Sequence, residues 1–117
     1  MNLKAWQAAY GVGREIYDLA SSLPHPHLFG LGGQLQRAAI SFPTNIAEGF
    51  GRRRSRDKAH FYTVARSSGD ELKCLLLFAR DGGLLLPDRF EALITRVDEA
   101  CRLTYGLIES MNRWLDP

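Results

Sequence analysis

Apolar residues return every three or four positions within four segments of this chain, and the segments are separated by prolines and glycines that helix interiors rarely accept. That punctuation predicts helices of moderate length. Sustained two-residue alternation and paired β-branched runs are lacking, so no strands are expected. Trp6, Tyr10, Gly13, Ile16 or Tyr17, Ala20 and Leu23 mark a first helix over about Asn2 to Leu23, ended by Pro24 and Pro26. The stretch HPHLFGLGG, from His25 to Gly33, combines prolines and glycines that forbid a continuous helix, and reads as the longest connection.

A second helix is expected from about Gly33 to Gly51. Pro43 inside it removes one backbone hydrogen bond and should kink it near Ile40. Leu35, Ala39, Phe42, Ile46 and Phe50 nevertheless stay on one stripe at ~100° per residue, which favours a kink over a break. The third helix begins near Ser55, presents Phe61, Ala65, Leu72, Leu75 or Leu76 and Ala79, and stops at Gly82 and Gly83. After Pro87, the residues Phe90, Ile94, Val97, Cys101, Thr104, Ile108, Met111 and Leu115 form a fourth stripe of nearly heptad spacing. Four amphipathic helices in 117 residues predict an all-α, antiparallel up-down-up-down four-helix bundle, a single domain over residues 1–117.

Hydrophobic residues at 45% and charged residues at 24% exclude the signature of disorder, and no apolar run approaches the ~18 residues of a membrane span. The N-terminal stretch lacks the features of a secretory signal, so a cytoplasmic location and no membrane partner are expected. Cys74 and Cys101 each fall in an apolar helical pattern and read as core packing, without a disulfide framework or a zinc site.

The formal net charge is only +2, but its distribution is uneven. Arg52, Arg53, Arg54, Arg56, Lys58 and Arg66 face one acid, Asp57, within a short stretch. Gly49 and Gly51 flank Phe50 just before it, so the second helix should end there in a frayed turn or a glycine of positive φ. Such a turn would concentrate Arg52, Arg53, Arg54, Arg56 and Lys58 at one end of the bundle, where guanidinium groups can hold phosphates. Phe50, Phe61 and Tyr62 could stack bases, although Phe50 and Phe61 also fit the core stripes. Solvation and pairing with neighbouring acids is the plainer reading of the arginines.

Gln34, Arg37, Ser41, Asn45, Glu48 and Arg52 recur at three- and four-residue spacing and make one polar stripe, ~110° around the helix from the apolar one. Short hydrogen-bonding side chains mixed with opposite charges favour a network buried in the bundle or at a subunit interface; a ligand site and a solvated face are the alternatives. Glu48 and Arg52 suit an intrahelical ion pair.

Candidates for catalysis are few. His60 could be drawn together with Glu48 and Glu71, yet the Glu-x-x-His pairs of di-iron bundles are absent, and His25-Pro26-His27 has no evident third ligand. With no nucleophile motif and no phosphate-binding glycine loop, neither an enzyme nor a metal or other cofactor is expected.

The run GLGGQLQRAAISFPTNIAEGFGRR resembles a four-helix-bundle family first named from open reading frames inside intervening sequences of bacterial large-subunit ribosomal RNA. The shared positions are Gly30, Leu31, Gln34, Arg37, Ala38, Ser41, Pro43, Asn45 to Gly49 and Arg52, supported by Trp6, Ile16 and Tyr17, and by Phe61, Ala65, Ser68, Glu71 and Leu72. This chain departs from the pattern at Pro26 and His27, where an acidic pair is frequent, at Gly32, where a capping threonine is usual, and at Ser67, where glycine is common. The resemblance implies an antiparallel bundle that assembles as a homopentamer without established catalysis. Related accessory proteins of diversity-generating retroelements form basic pentameric barrels that bind nucleic acid and a reverse transcriptase. By that analogy the expected partners are copies of the chain itself and RNA or DNA, the nucleic acid meeting a five-fold ring of the basic turn. A scaffold whose partner is another protein is the alternative.

Overall fold

The computed structural model describes residues 3–113, all of whose regular structure is helical. Four long helices, α1 (Lys4–Ser21), α3 (Gly33–Phe50), α4 (Ser55–Asp81) and α5 (Pro87–Asn112), follow the expected segments closely; α2 (His25–His27) is a single turn. Each long helix runs antiparallel to its two neighbours in the ring. Gly13 meets Ala39 across α1 and α3, Ser41 meets Ser68 across α3 and α4, Lys73 pairs with Asp98 across α4 and α5, and Glu15 pairs with Arg96 across α1 and α5. The bundle measures 50 × 23 × 22 Å.

The core is made by Val12 and Ile16 of α1, Leu35, Phe42 and Ile46 of α3, Leu72 and Leu76 of α4, and Leu93 and Val97 of α5, all essentially without solvent exposure. α3 continues through Pro43 without interruption, and Pro43 itself is buried. A proline is tolerated because packing on both sides of it outweighs one missing hydrogen bond.

Several expectations need correction. Tyr10, read into the first core stripe, is 47% exposed and Trp6 is half-buried. Gly13, Ile16 and Ala20 of that stripe are buried as expected, but the rest of the core face of α1 is Ala5, Ala9, Val12 and Leu19. Small residues win that face because a Cβ on Gly13 would lie 2.7 Å from the carbonyl oxygen of Ala39, so the two backbones nearly touch and the aromatic rings are displaced to the flank. Phe50, assigned to the second stripe, is 53% exposed, and Cys74 is exposed where core packing was expected. Cys101 is buried as expected, and burial pushes its thiol up to about 11. Asn2 and Leu115 lie outside the described residues.

The stretch from His25 to Gly33 is not an irregular connection. After the short link Ser22 to Pro24 the chain enters α2, passes through a π turn (Leu28–Gly32) and continues directly into α3. Pro26 sits in the first turn of α2, where its missing N–H is no loss. Gly82 and Gly83 end α4 as expected. Gly83 takes φ +75°, the Leu84 N–H donates to the carbonyl of Ala79 at 2.8 Å, and the Gly83 N–H donates to that of Arg80 at 3.0 Å, which together make a Schellman closure.

Candidate nucleic-acid interface

The turn between α3 and α4 is built by backbone bonds that do not need a left-handed glycine. The Gly51 N–H donates to Ala47 O at 3.1 Å and the Arg52 N–H to Gly49 O at 3.1 Å, with Gly51 at φ −80°. Of the two endings expected here, a frayed turn or a glycine of positive φ, the second does not occur; among the described residues only Gly83 has positive φ. Gly49 is required for a different reason: a Cβ there would lie 2.7 Å from the Tyr62 ring and 3.2 Å from the Lys58 carbonyl oxygen. This close approach sets α4 tightly against the end of α3. Tyr62 is consequently a core residue, and burial raises its hydroxyl pKa.

That approach sorts the five expected cations into two groups. Lys58 is half-buried, and its ammonium group donates to Phe50 O at 2.8 Å and Gly49 O at 3.3 Å, closing the carbonyl end of α3. Arg52 pairs with Glu48 at 3.0 Å, as the four-residue spacing predicts, and its guanidinium lies 4.5 Å over the Phe61 ring. Arg53, Arg54 and Arg56 are exposed and, among the described residues, make no side-chain hydrogen bond or ion pair. The unpaired charge of the turn therefore comes from three arginines.

The polar stripe divides in the same way. Asn45 Nδ2 donates to the carbonyl oxygen of Ser41 at 2.9 Å and to its Oγ at 3.0 Å, and the hydroxyls of Ser41 and Ser68 share a hydrogen bond of 2.8 Å. This is a small network between α3 and α4, with Ser68 itself buried. Gln34, Arg37 and Glu48 at the ends of the stripe are exposed. The stripe is thus neither wholly buried nor a plain solvent face. Ser68 was not read as the network's partner, although its position on the Ala65 and Leu72 side of α4 is the signal that could have revealed it.

His60 packs edge-on against Phe61 at 5.3 Å, and among the described residues no group of three or more His, Cys, Asp and Glu is placed to hold a metal ion. A groove of about 480 Å³ between α1 and α3 is lined by Trp6, Tyr10, Tyr17, Ile40 and Pro43, with Trp6 and Tyr10 stacked 4.9 Å apart. Thr44 and Ala47 join this groove to a shallower cleft bordered by Glu48, Gly51 and Arg52. Sequence reasoning missed the groove because it placed these aromatic residues in the core.

Residues 1–106 match the model of the 23S rRNA-intervening sequence protein family. The chain belongs to this family. The match takes in the basic turn, the polar stripe and the α1–α3 groove, and stops at Gly106 in α5. None of the curated proteins compared with the chain matches it significantly. Intervening-sequence proteins are small helical proteins without known catalytic activity. No described helix of this member is long and apolar enough to cross a membrane.

Proposed function

We propose that this intervening-sequence protein is a non-enzymatic, self-associating helical bundle that binds RNA or DNA electrostatically through the turn from Arg52 to Arg56. The observation that carries the reading is that Arg53, Arg54 and Arg56 are exposed at one end of the bundle and unpaired among the described residues, while Arg52 and Lys58 are engaged by protein groups. Exposed guanidinium groups without carboxylate partners suit phosphate contacts, and displaced counterions make such binding strongly salt-dependent. Self-association, pentameric by the family resemblance, would repeat the three arginines around a ring and raise their effective concentration.

Replacing Arg53, Arg54 and Arg56 together by glutamine tests the reading. The variant should bind labelled RNA or DNA at least about tenfold more weakly, and the slope of log affinity against log salt should fall by about 2, the share of three phosphate contacts. Binding unchanged in strength and slope would sink it. A partner retained after nuclease treatment, by the parent and the variant alike, would point to a protein-binding scaffold instead. The exposed apolar side chains Phe29, Phe78 and Leu86 favour that second reading.

The surface that best suits self-association is the α1–α3 groove, where Ile40 is 54% exposed between Tyr17 and Pro43. Ile40→Glu should leave the helical circular dichroism intact and shift the mass measured by light scattering toward the single chain. An unchanged mass would remove this groove from the interface.

A further inference from the structure

We infer that the polynucleotide held by the basic turn is single-stranded, its unpaired bases stacking on Phe50 and on the Arg52 and Phe61 pair. The inference rests on the proposed function and specifies its ligand. Phe50 is a large aromatic residue half exposed beside the free arginines, with its own backbone carbonyl held by Lys58 and its ring 5.6 Å from that ammonium group. Phe61 is half-buried under the Arg52 guanidinium, and Glu48 holds that guanidinium in place. Arg52 therefore offers a planar cation, backed by a ring on one side and with 46% of its side chain still open to solvent.

Aromatic rings and guanidinium planes are the surfaces on which unpaired bases stack, whereas a duplex keeps its base faces turned toward one another. Cations alone would serve either form. Rings set among the cations add contact only for the single strand, and their exposure has a solvation cost that such stacking would relieve. The arginines are not continued along a helix face that could lie in a groove of duplex nucleic acid. The next arginine on α4, Arg66, is half-buried and lies 4.7 Å over the ring of Tyr105 on α5.

The test compares fluorescence anisotropy of labelled oligo(U), oligo(dT) and a duplex of the same length, using the whole chain and two variants, Phe50→Ala and Phe61→Leu. Phe50 is exposed, so its replacement leaves the core untouched; Phe61→Leu keeps apolar volume under Arg52 while removing the ring. The parent should prefer at least one single strand to the duplex, with oligo(U) and oligo(dT) reporting whether RNA or DNA is favoured. Each variant should weaken single-strand binding by about tenfold, the effect of losing one stacked base, and leave duplex binding and the salt slope unchanged. Equal affinity for single strand and duplex, or Phe50→Ala binding as the parent does, would overturn the inference while leaving electrostatic binding in place. Failure of all three probes to bind would overturn both.

Discussion

Phe42→Ala should lower the free energy of unfolding by about 3–5 kcal/mol, the largest loss expected from any single truncation in this bundle. The Phe42 ring has no solvent exposure and lies where α3, α4 and α5 converge. Facing it is Gly69, where a Cβ would come within 2.9 Å of the ring and 2.5 Å of Cys101 Sγ. With a glycine opposite, the α4 position nearest the ring has no side chain to swing into the space that the ring leaves. The cavity should therefore persist, and its cost adds to the lost transfer free energy. Small domains are held by only ~5–15 kcal/mol, so the variant should unfold at a clearly lower urea concentration with a similar slope. A loss of less than about 1.5 kcal/mol would show that the three helices close over the void.

The second large effect is a difference in sign between two identical substitutions. Gly106→Ala lies in α5 at an exposed position with nothing within 4 Å of the added methyl group, and should stabilise by about 1 kcal/mol through helix propensity. Gly13→Ala gains the same propensity but places its methyl carbon 2.7 Å from the backbone oxygen of Ala39. Neither partner is a flexible side-chain end, so α1 and α3 must separate, at a cost of about 1–3 kcal/mol. Thermal melts should move upward by about 4 °C for Gly106→Ala and downward by a similar amount for Gly13→Ala. Two shifts of the same sign would contradict the close α1–α3 approach.

The number of long helices, their order and most of their limits were legible because amphipathic periodicity and proline or glycine punctuation are local properties. The stretch HPHLFGLGG was misread because glycine's aversion to helices is a preference of about 1 kcal/mol, which packing can override. Gly32 shows how: a Cβ there would lie 3.2 Å from the carbonyl oxygen of Ala20, so the π turn runs close against the end of α1. The N-terminal half of the α1 face was misjudged because large side chains were weighted there. Close helix approach kept Gly13, a member of the expected stripe, but selected Ala5 and Ala9 beside it and moved Trp6 and Tyr10 to the groove.

At the candidate interface, the Glu48–Arg52 pair followed from four-residue spacing alone, whereas the role of Lys58 did not. Its ammonium group reaches the Phe50 and Gly49 carbonyls only because Gly49 lets Tyr62, and α4 with it, come against the end of α3.

The sequence by itself determined a bundle of four antiparallel helices and a local excess of arginine at one turn, since both depend on residues near one another in the chain. Only the tertiary structure decided which arginines stand free, which aromatic rings face solvent and which glycines are indispensable. Those outcomes turn on distances between helices, and ångström-scale approach at Gly13, Gly49 and Gly69 is a property that no single helix carries.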